Sequence, residues 1–260
     1  MARNIKAKNV LIKIGTNTLT NNEGDLDNAA IKNIVNQIAD IKKKGKNVVL
    51  VTSGAIGAGM KELNLKSKPQ DITMRQVCAA VGQSILMDTY QSLFGKHNIK
   101  IAQILLTYSD FSNQKVFSNF QKGISKMLEM GIVPIINEND PISIDEIGPS
   151  FGDNDMLSAM IATSLDIQLL LILTNVDGLF DRNPKENGAV LINEIGDIEK
   201  CKKYVDDKSS SLGVGGMRTK IKAAEMAAKK GIPTIIANGK SRNVLLKIFE
   251  NEEVGTMFPA

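Results

Sequence analysis

The sequence predicts an α/β protein, a three-layer αβα sandwich with a mainly parallel central sheet. Short apolar runs recur along its 260 residues, amphipathic stretches lie between them, and several of the runs stop abruptly at glycine or polar residues. Strand-like and helix-like patterns that alternate in this way favour a parallel sheet covered by helices on both faces. A chain of this length can bury its core as one domain, which we expect to span residues 1–260.

Six apolar runs are predicted as strands, because strands buried on both faces read as short continuous apolar segments. They cover residues 10–14, 48–52, 101–106, 133–136, 169–173 and 234–237. The amphipathic stretches between them are predicted as helices and cover residues 29–44, 74–94, 112–130, 156–165 and 217–230. Residues 190–192 and 254–258 are predicted as short strands at the sheet margin. Any division into two lobes would fall near residues 164–168, within one continuous sheet.

The composition argues against several classes of function. Lysine and arginine total 32 against 28 aspartates and glutamates, and the excess is mostly lysine spread along predicted helices. Aromatic residues make up only 4% of the chain, whereas nucleic-acid surfaces favour arginine with interleaved aromatics. No apolar run reaches membrane-spanning length, and the N-terminus lacks the apolar stretch of a signal peptide. We therefore expect a cytoplasmic protein without nucleic-acid or membrane partners.

The predicted chemistry does not depend on histidine or cysteine. His97 is the sole histidine and lies at a predicted helix end, which disfavours a Ser-His-Asp triad and a histidine-based zinc site. Cys78 and Cys201 each stand alone, so the chain has no CxxC motif. Lysine, carboxylate, carboxamide and backbone amide groups remain as the candidates, and no metal site on protein groups is predicted.

The first candidate residues follow predicted strands, at the edge of a parallel sheet where ligands ordinarily bind. Lys13 lies inside the first strand, and Gly15 after it lets a ligand approach the backbone. A lysine in a strand buried on both faces is costly unless its charge is matched; the alternative is an edge strand with Lys13 directed outward. After the second strand, Gly54, Gly57 and Gly59 leave a helix N-terminus bare of side chains, which favours an anion.

Two acidic clusters follow the apolar run 132–136, the second within the same loop as the first. Residues 137–140 read Asn-Glu-Asn-Asp and directly follow the apolar run 132–136, and residues 152–155 read Gly-Asp-Asn-Asp. Such clusters at a sheet edge can bind an ammonium group, a metal ion or a pair of lysines. Either cluster alone is also compatible with a solvated polar loop.

The C-terminal half adds a glycine-rich segment, residues 213–220, which opens a helix and places Lys220 in its first turn. The helix dipole disfavours a cation there unless an anion is bound, so this placement points to phosphate, although a glycine hinge with a solvated lysine is the alternative. Thr174 and Asn175 end another strand and are placed to contact a purine or ribose. Two lysines, two glycine-rich segments and paired carboxylates without a histidine base fit phosphoryl transfer, which needs positioning and positive charge.

In order and spacing these segments resemble the amino acid kinase family, in the branch that phosphorylates glutamate. The resemblance covers essentially the whole chain and rests on residues 12–16, 51–56, 135–140, 152–155 and 215–220. It implies phosphorylation of the γ-carboxylate of L-glutamate by ATP, the first step of proline synthesis. It also implies ATP and Mg²⁺ as cofactors, a substrate lobe at about residues 1–165, an ATP lobe at about residues 166–260, a homo-oligomer (dimer or tetramer), and possible feedback inhibition by proline.

The resemblance also implies roles for individual residues. Lys13 and Lys220 would stabilise the transferring phosphoryl group, and Asp155 would hold both lysines. The residues implied to bind glutamate are Ser53, Gly54, Asn137, Asp140, Asp153 and Asn154. Those implied to contact ATP are Lys13, Gly15, Thr174, Asn175, Val214, Gly215, Gly216, Met217, Arg218, Thr219 and Lys220. Gly15 and Gly54 would also offer backbone amides to the acyl-phosphate oxygens, and magnesium would be carried mainly by the ATP phosphates.

The chain departs from the family pattern in three places. Asn175 stands where an aspartate is usual, residues 144–150 form a slightly longer stretch than usual, and the sequence ends at Ala260, where many relatives continue into an RNA-binding-like PUA module. The chain is therefore expected to be the single-domain form, natural or cut. One alternative is a family member acting on aspartate, acetylglutamate or carbamate, although the acidic clusters favour a free α-ammonium group. The other is a non-catalytic sensor of glutamate, proline or ATP, which the presence of both lysines disfavours.

Overall fold

The fold is built on one seven-stranded sheet. The computed structural model describes residues 3–21, 23–142, 154–184, 186–201 and 216–260. The strands are β1 (Asn9–Ile14), β2 (Asn47–Val51), β3 (Ile101–Leu106), β4 (Val133–Glu138), β5 (Leu169–Thr174), β6 (Thr234–Asn238) and β7 (Thr256–Phe258). Their spatial order is β3-β4-β2-β1-β5-β6-β7, and every neighbouring pair is parallel except β6 with β7.

Helices connect the strands and cover both faces of the sheet. Those in the described part of the chain are α1 (Thr16–Leu19), α2 (Asn28–Lys43), α3 (Ala55–Glu62), α4 (Ile72–Gly95), α5 (Tyr108–Ser112), α6 (Gln114–Glu129), α7 (Asn154–Ser164), α8 (Ile198–Cys201), α9 (Met217–Ala228) and α10 (Val244–Phe249). None of these helices is both long enough and apolar enough to cross a membrane.

The sheet divides the hydrophobic core into two layers, because successive strand residues point to opposite faces. Ile12 and Leu50 belong to a core that includes residues of α2, α4 and α10. Leu11 and Val51, one position away on the same strands, belong to a second core that includes residues of α6, α7 and α9. This is the three-layer αβα arrangement that the sequence predicts.

The centre of the sheet creates a crevice at its carboxyl edge. β1 lies between β2 and β5. The connection from β1 runs through α2 on one face, whereas α9, which precedes β6, lies on the other face. Adjacent strands whose connections leave to opposite faces open a crevice at which α/β proteins bind ligands. The backbone N–H of Gly15 donates to the carbonyl of Leu173 (3.0 Å) at this point and holds the two strand ends together.

The strand predictions are largely confirmed. All six main strands form, with boundaries shifted by at most two residues. The prediction of a strand over residues 190–192 is wrong. Leu191 makes only an isolated bridge to Phe180, since the neighbouring backbone groups pair with the loop after β5 rather than with the sheet. The second marginal strand is present as β7, at the sheet edge and shorter than predicted.

The predictions for the helix over residues 112–130, for Lys13 and for His97 can also be compared with the structure. The predicted helix over residues 112–130 forms as α6, with a separate short helix α5 before it. Since β1 lies at the centre of the sheet and Lys13 is only 2% exposed, the alternative of an outward-facing edge lysine is wrong. His97 follows α4, as predicted, and its Nε2 lies 2.8 Å from the side-chain oxygen of Asn36.

Candidate active site

A cavity of about 460 Å³ lies at the carboxyl edge of the sheet, where β1, β2, β4 and β5 end. Gly57 of the glycine segment after β2 lines it, and so do ten of the site residues that the family resemblance implies. They are Lys13, Gly15, Ser53, Gly54, Asn137, Asp140, Asn154, Thr174, Asn175 and Lys220. Segments that are distant in sequence therefore meet at one site, because the carboxyl ends of parallel strands share one edge.

Three charged side chains, one each from β1, α7 and α9, meet at this site. We call them the ionic cluster: Lys13, Asp155 and Lys220. The Nζ of Lys13 lies 2.6 Å from Oδ1 of Asp155, and the Nζ of Lys220 donates to Oδ2 at 2.9 Å. The hydroxyl of Thr219 donates to the same Oδ2 at 3.0 Å. Asp155 is fully buried, and the side chains of the two lysines are 2% and 7% exposed. One carboxylate thus fixes two ammonium groups at the wall of the cavity.

The position of each charge explains why the cluster needs all three members. Asp155 lies in the first turn of α7, where the helix dipole favours an anion. Lys220 lies in the first turn of α9, where the dipole disfavours a cation, and Asp155 compensates for this placement. Removing charges from water costs several kcal/mol per ion even in a relaxed protein, so a buried ion pair is weak evidence of stabilisation. A cluster at the wall of a cavity instead indicates a chemical role.

On the opposite face, three carboxamides form what we call the amide cluster: Gln83, Asn137 and Asn154. The side-chain nitrogen of Asn137 donates to Oε1 of Gln83 at 2.9 Å, and that of Asn154 donates to Oδ1 of Asn137 at 2.9 Å. The same Asn154 nitrogen lies 2.6 Å from the carbonyl oxygen of Thr52 and 3.0 Å from the Ser53 hydroxyl. All three carboxamides are at least nine-tenths buried. Asn154 and Asp155 are consecutive, so the start of α7 joins the two clusters.

Helix α4 supports the amide cluster from behind. Besides Gln83 it carries Tyr90, whose hydroxyl lies 2.9 Å from the hydroxyl of Thr52, with both residues fully buried. Burial raises the pKa of the Tyr90 phenol well above its ordinary value, with the Thr52 contact opposing this shift, so the phenol remains protonated at neutral pH. The end of β2 is therefore held in place by a neutral hydrogen bond.

The glycines of the segment after β2 serve different purposes. Gly54 has a φ of 99° and precedes the first residue of α3, a left-handed conformation that favours glycine. Gly59 instead permits close helix packing, because a Cβ there would overlap the carbonyl of Cys78 on α4. Gly82 does the same from the other side, against the carbonyl of Ala55. The interpretation of Gly59 as part of an anion-binding N-terminus is therefore replaced by a packing role.

Some predicted residues lie elsewhere. Among the predicted nucleotide contacts, Met217, Arg218 and Thr219 do not line the cavity: Met217 packs on the second core, Arg218 is exposed, and Thr219 contacts Asp155. Gly216 precedes α9 as its N-cap. Asp153, Val214 and Gly215, and the stretch 144–150, lie outside the described residues.

The sequence prediction missed Gln83, Thr52 and Tyr90. A signal was present for Gln83, which occupies the buried face of α4 together with Ala79 and Leu86. A carboxamide on an apolar helix face requires a buried partner, and here that partner is Asn137. Nothing in the sequence indicates that the partner belongs to the cavity.

The fold and the site define a member of a kinase family. Residues 8–238 match the amino acid kinase family, and the chain belongs to it. Within that family the chain is 48% identical to the glutamate 5-kinase of Methanosarcina barkeri, over 96% of this chain and 68% of the relative. It is 45% identical to the glutamate 5-kinase of Clostridium acetobutylicum, over 96% of this chain and 93% of the relative.

Solved structures share the fold at low sequence identity. A UMP kinase from Bacillus anthracis superposes with a TM-score of 0.64 at 19% identity, covering 97% of this chain and 96% of that one. A carbamate kinase from Giardia lamblia bound to AMP-PNP gives a TM-score of 0.66 at 19% identity, with coverage of 98% and 99%. These similarities confirm the predicted fold class.

Proposed function

We propose that this protein is an ATP-dependent kinase that phosphorylates the γ-carboxylate of L-glutamate to L-glutamyl 5-phosphate, the first step of proline biosynthesis. The observation that carries the proposal is that one cavity is lined by members of both the ionic cluster and the amide cluster. The first suits a phosphoryl group and the second an amino acid. The similarity to glutamate 5-kinases over almost the whole chain supports the same substrates.

The proposed reaction needs positioning and charge rather than a base. An oxygen of the glutamate γ-carboxylate attacks the γ-phosphorus of ATP and forms a new P–O bond. The bond from that phosphorus to the β,γ-bridging oxygen breaks, and ADP leaves with the electron pair. Because the carboxylate is already an anion at neutral pH, no proton has to be removed. This agrees with the environment of His97, the sole histidine, which contacts Asn36 and does not line the cavity.

In this proposal Lys13 and Lys220 stabilise the transferring phosphoryl group, and Asp155 keeps them in place. Each ammonium group carries three N–H donors and lies within 3 Å of an oxygen of Asp155, which fixes its position at the cavity wall. Preorganised donors of this kind act where charge develops in the transition state and need no reorganisation during the reaction. A Cβ added at Gly15 would lie 3.6 Å from the Lys13 Nζ and 3.4 Å from the Leu173 carbonyl oxygen, so glycine keeps this end of β1 open. Gly54 supplies a backbone amide to the acyl-phosphate oxygens, whereas the expectation of the same role for Gly15 is wrong, because its N–H already donates to the Leu173 carbonyl.

The glutamate half of the proposal assigns the amino acid to Ser53, Gly54, Asn137, Asp140, Asp153 and Asn154. The α-ammonium group of a free amino acid requires oxygen acceptors. Asp140, which is 5% exposed, and Asn154 both line the cavity and carry such oxygens. An N-acetylated substrate would not need this set of acceptors. The free amino group is therefore the feature that the proposal uses to choose among the acids on which family members act.

The ATP half assigns the nucleotide to the ends of β5 and α9: Thr174, Asn175 and residues 214–220. Thr174 and Asn175 line the cavity on the β5 side. Magnesium enters with ATP and is held mainly by its phosphates, an arrangement typical of Mg²⁺. Within the described residues, no three His, Cys, Asp or Glu side chains are grouped to hold a metal.

Further parts of the proposal concern the whole molecule. The substrate lobe comprises about residues 1–165 and the ATP lobe about residues 166–260, joined by one sheet. We place the protein in the cytoplasm as a homo-oligomer, dimeric or tetrameric, whose activity proline inhibits. Light scattering of the purified protein would test the oligomer, and a proline titration of the activity would test the inhibition.

Hydroxylamine trapping tests the proposed reaction directly. Hydroxylamine converts an acyl phosphate to a coloured hydroxamate, so purified protein with Mg-ATP and one acid at a time reports the product itself. We expect a signal with glutamate and none with aspartate or N-acetylglutamate. A signal with another acid alone would retain the kinase and change its substrate. Absence of a signal with all acids, in protein shown to be folded, would overturn the enzyme and favour a sensor of glutamate, proline or ATP.

A further inference from the structure

Gln83 lies outside the cavity yet contacts its wall. It sits on α4 with 7% exposure and is absent from the cavity lining, whereas its hydrogen-bond partner Asn137 lines the cavity. Gln83 reaches the site only through Asn137, so any effect it has on a ligand must be indirect.

The direction of the hydrogen bonds through the amide cluster is fixed by a backbone carbonyl. The carbonyl of Thr52 can only accept, so Asn154 must turn its NH₂ group toward it. Asn137 must then present its oxygen to that NH₂ group and its own NH₂ group to Gln83. Gln83 must in turn present its oxygen. None of these three carboxamides can be rotated by 180° without placing two donors or two acceptors against each other.

This direction determines what Asn154 offers to a ligand. Its NH₂ group is engaged by Thr52, Ser53 and Asn137, and its buried Oδ1 has no hydrogen-bond partner among the residues that the structure describes. Asn154 lines the cavity, so the group left over for a ligand is an acceptor. Without its partner on α4, the buried NH₂ group of Asn137 would have lost its acceptor, so Asn137 would shift toward another partner. Asn154 donates to Asn137 and would then lose its fixed position, even though Thr52 still sets which way its NH₂ group faces.

We propose that Gln83 is a specificity-determining positioning residue, which holds Asn137 and Asn154 so that the cavity presents the Oδ1 of Asn154 to the α-ammonium group of the substrate. This inference rests on the proposed function, because it assumes that a free amino acid binds here. Gln83 touches neither the substrate nor the reacting atoms in this proposal. It should therefore affect recognition of the ammonium group and leave phosphoryl transfer unchanged.

The test compares L-glutamate with glutarate, which has the same two carboxylates but lacks the amino group. For each variant, the KM of glutamate is measured with saturating Mg-ATP, and glutarate is measured as a competitive inhibitor of the same reaction. Gln83→Met removes the acceptor at similar side-chain length. We expect the KM of glutamate to rise about 10-fold, the size expected when a buried polar group loses its partner. The inhibition constant of glutarate, kcat and the KM of ATP should each change by less than about 2-fold. Gln83→Glu keeps an oxygen facing Asn137 and should restore most of the glutamate affinity.

Gln37 provides a matched control. It is also a buried glutamine whose Oε1 accepts one hydrogen bond, from the backbone of Leu245 at 2.9 Å, and it does not line the cavity. Gln37→Met should reduce stability similarly without changing the preference for glutamate over glutarate. If Gln83→Met does not fold, Gln83→Asn, one methylene shorter, loses the same contact and carries the same prediction.

The outcomes separate the inference from the function on which it rests. Suppose that the wild-type protein phosphorylates glutamate. If Gln83→Met then has an unchanged KM for glutamate, or loses affinity for glutarate as much as for glutamate, the role of Gln83 is overturned and the kinase function remains. Failure of the wild-type protein to phosphorylate glutamate would overturn both.

Discussion

The ionic cluster and the amide cluster occupy the same edge of the sheet beneath opposite helical layers, and they differ in how their members depend on each other. In the ionic cluster two cations share one carboxylate, so removal of Asp155 leaves like charges buried together. In the amide cluster Asn154 donates to Asn137, and Asn137 donates to Gln83. Removing one of these residues therefore changes how the remaining carboxamides are oriented and removes no charge. In the proposed mechanism these adjacent polar groups serve separate steps: charge for the transfer of the phosphoryl group, and orientation for the choice of substrate.

The largest effect is expected from Asp155→Ala, which removes the centre of the ionic cluster. Two buried ammonium groups would lose their shared partner, and breaking a buried pair of this kind costs about 3–5 kcal/mol in the free energy of unfolding. Urea denaturation measures this loss. Glu129→Ala, which breaks an exposed pair with Lys126, should cost no more than about 1 kcal/mol. Equal losses in the two variants would mean that the ionic cluster is not held by its central carboxylate.

Replacing one lysine tests the catalytic half of the comparison. Lys13→Met or Lys220→Met should lower kcat about 10²- to 10³-fold, as expected when one preorganised donor is lost, with a smaller change in the KM of glutamate. Steady-state kinetics with the hydroxamate assay measure both constants. Lys126→Met is the control, because its side chain is 70% exposed and lies outside the cavity. Wild-type turnover in either cluster variant would remove that lysine from the proposed mechanism.

Gly82→Ala tests whether the spacing of α3 and α4 supports the amide cluster. The added methyl group would overlap the Ala55 carbonyl, and overpacking of this kind costs about 1–3 kcal/mol in the free energy of unfolding. Because Gln83 is the next residue, the KM of glutamate should rise as well. Gly123→Ala on α6 meets no atom within 4 Å and should stabilise the protein by about 0.5–1 kcal/mol. The same sign in both variants would show that α3 and α4 can separate freely.

Asp140→Ala tests the acceptor side of the site. Asp140 is 5% exposed and lines the cavity, so the loss of its carboxylate should raise the KM of glutamate about 10-fold and change kcat little. Asp166→Ala, at the opposite edge of the sheet, is the control for the lost negative charge. An unchanged KM would move Asp140 out of the proposed ammonium site.

The sequence predicts where the strands and the charged residues of the cavity lie along the chain. It does not predict which strands are neighbours or which side chains contact each other. The apolar run 132–136 predicts a buried strand because it is short, continuous and rich in β-branched residues, with polar residues directly after it. Whether Lys13 is central or at an edge depends on strand order, and that order follows from helix crossovers that no local pattern encodes. Its burial therefore became clear only from the fold.

Residues of one type can also have different roles that the sequence does not separate. Gly54 needs a left-handed backbone and Gly59 needs close contact with α4, yet both read as glycines in one loop. Gln83 and Gln37 are both carboxamides on buried helix faces, and only Gln83 contacts a residue of the cavity. The difference lies in what packs against each helix from distant parts of the chain.

The smallest effect is expected from Tyr90→Phe, which removes one hydroxyl behind the amide cluster. The hydroxyl of Thr52 would keep only its longer contact to the Ser53 carbonyl (3.3 Å), and the free energy of unfolding should fall by about 1 kcal/mol. The same substitution should change the response to alkali. Burial raises the pKa of Tyr90 above its ordinary value of 10.0, so above about pH 10 the unfolded chain loses this proton before the folded one does.

The sign of the alkaline effect follows from that order of proton loss. The folded state binds more protons than the unfolded state above about pH 10, so the contribution of Tyr90 to stability is complete below that pH and declines as the pH rises. Tyr90→Phe lacks this decline. Denaturation curves collected from pH 8 to pH 11 should therefore show a gap of about 1 kcal/mol that narrows above about pH 10. Parallel curves over the whole range would mean that the phenol ionises equally well in both states, and that the end of β2 is less firmly enclosed by α4 than its contacts indicate.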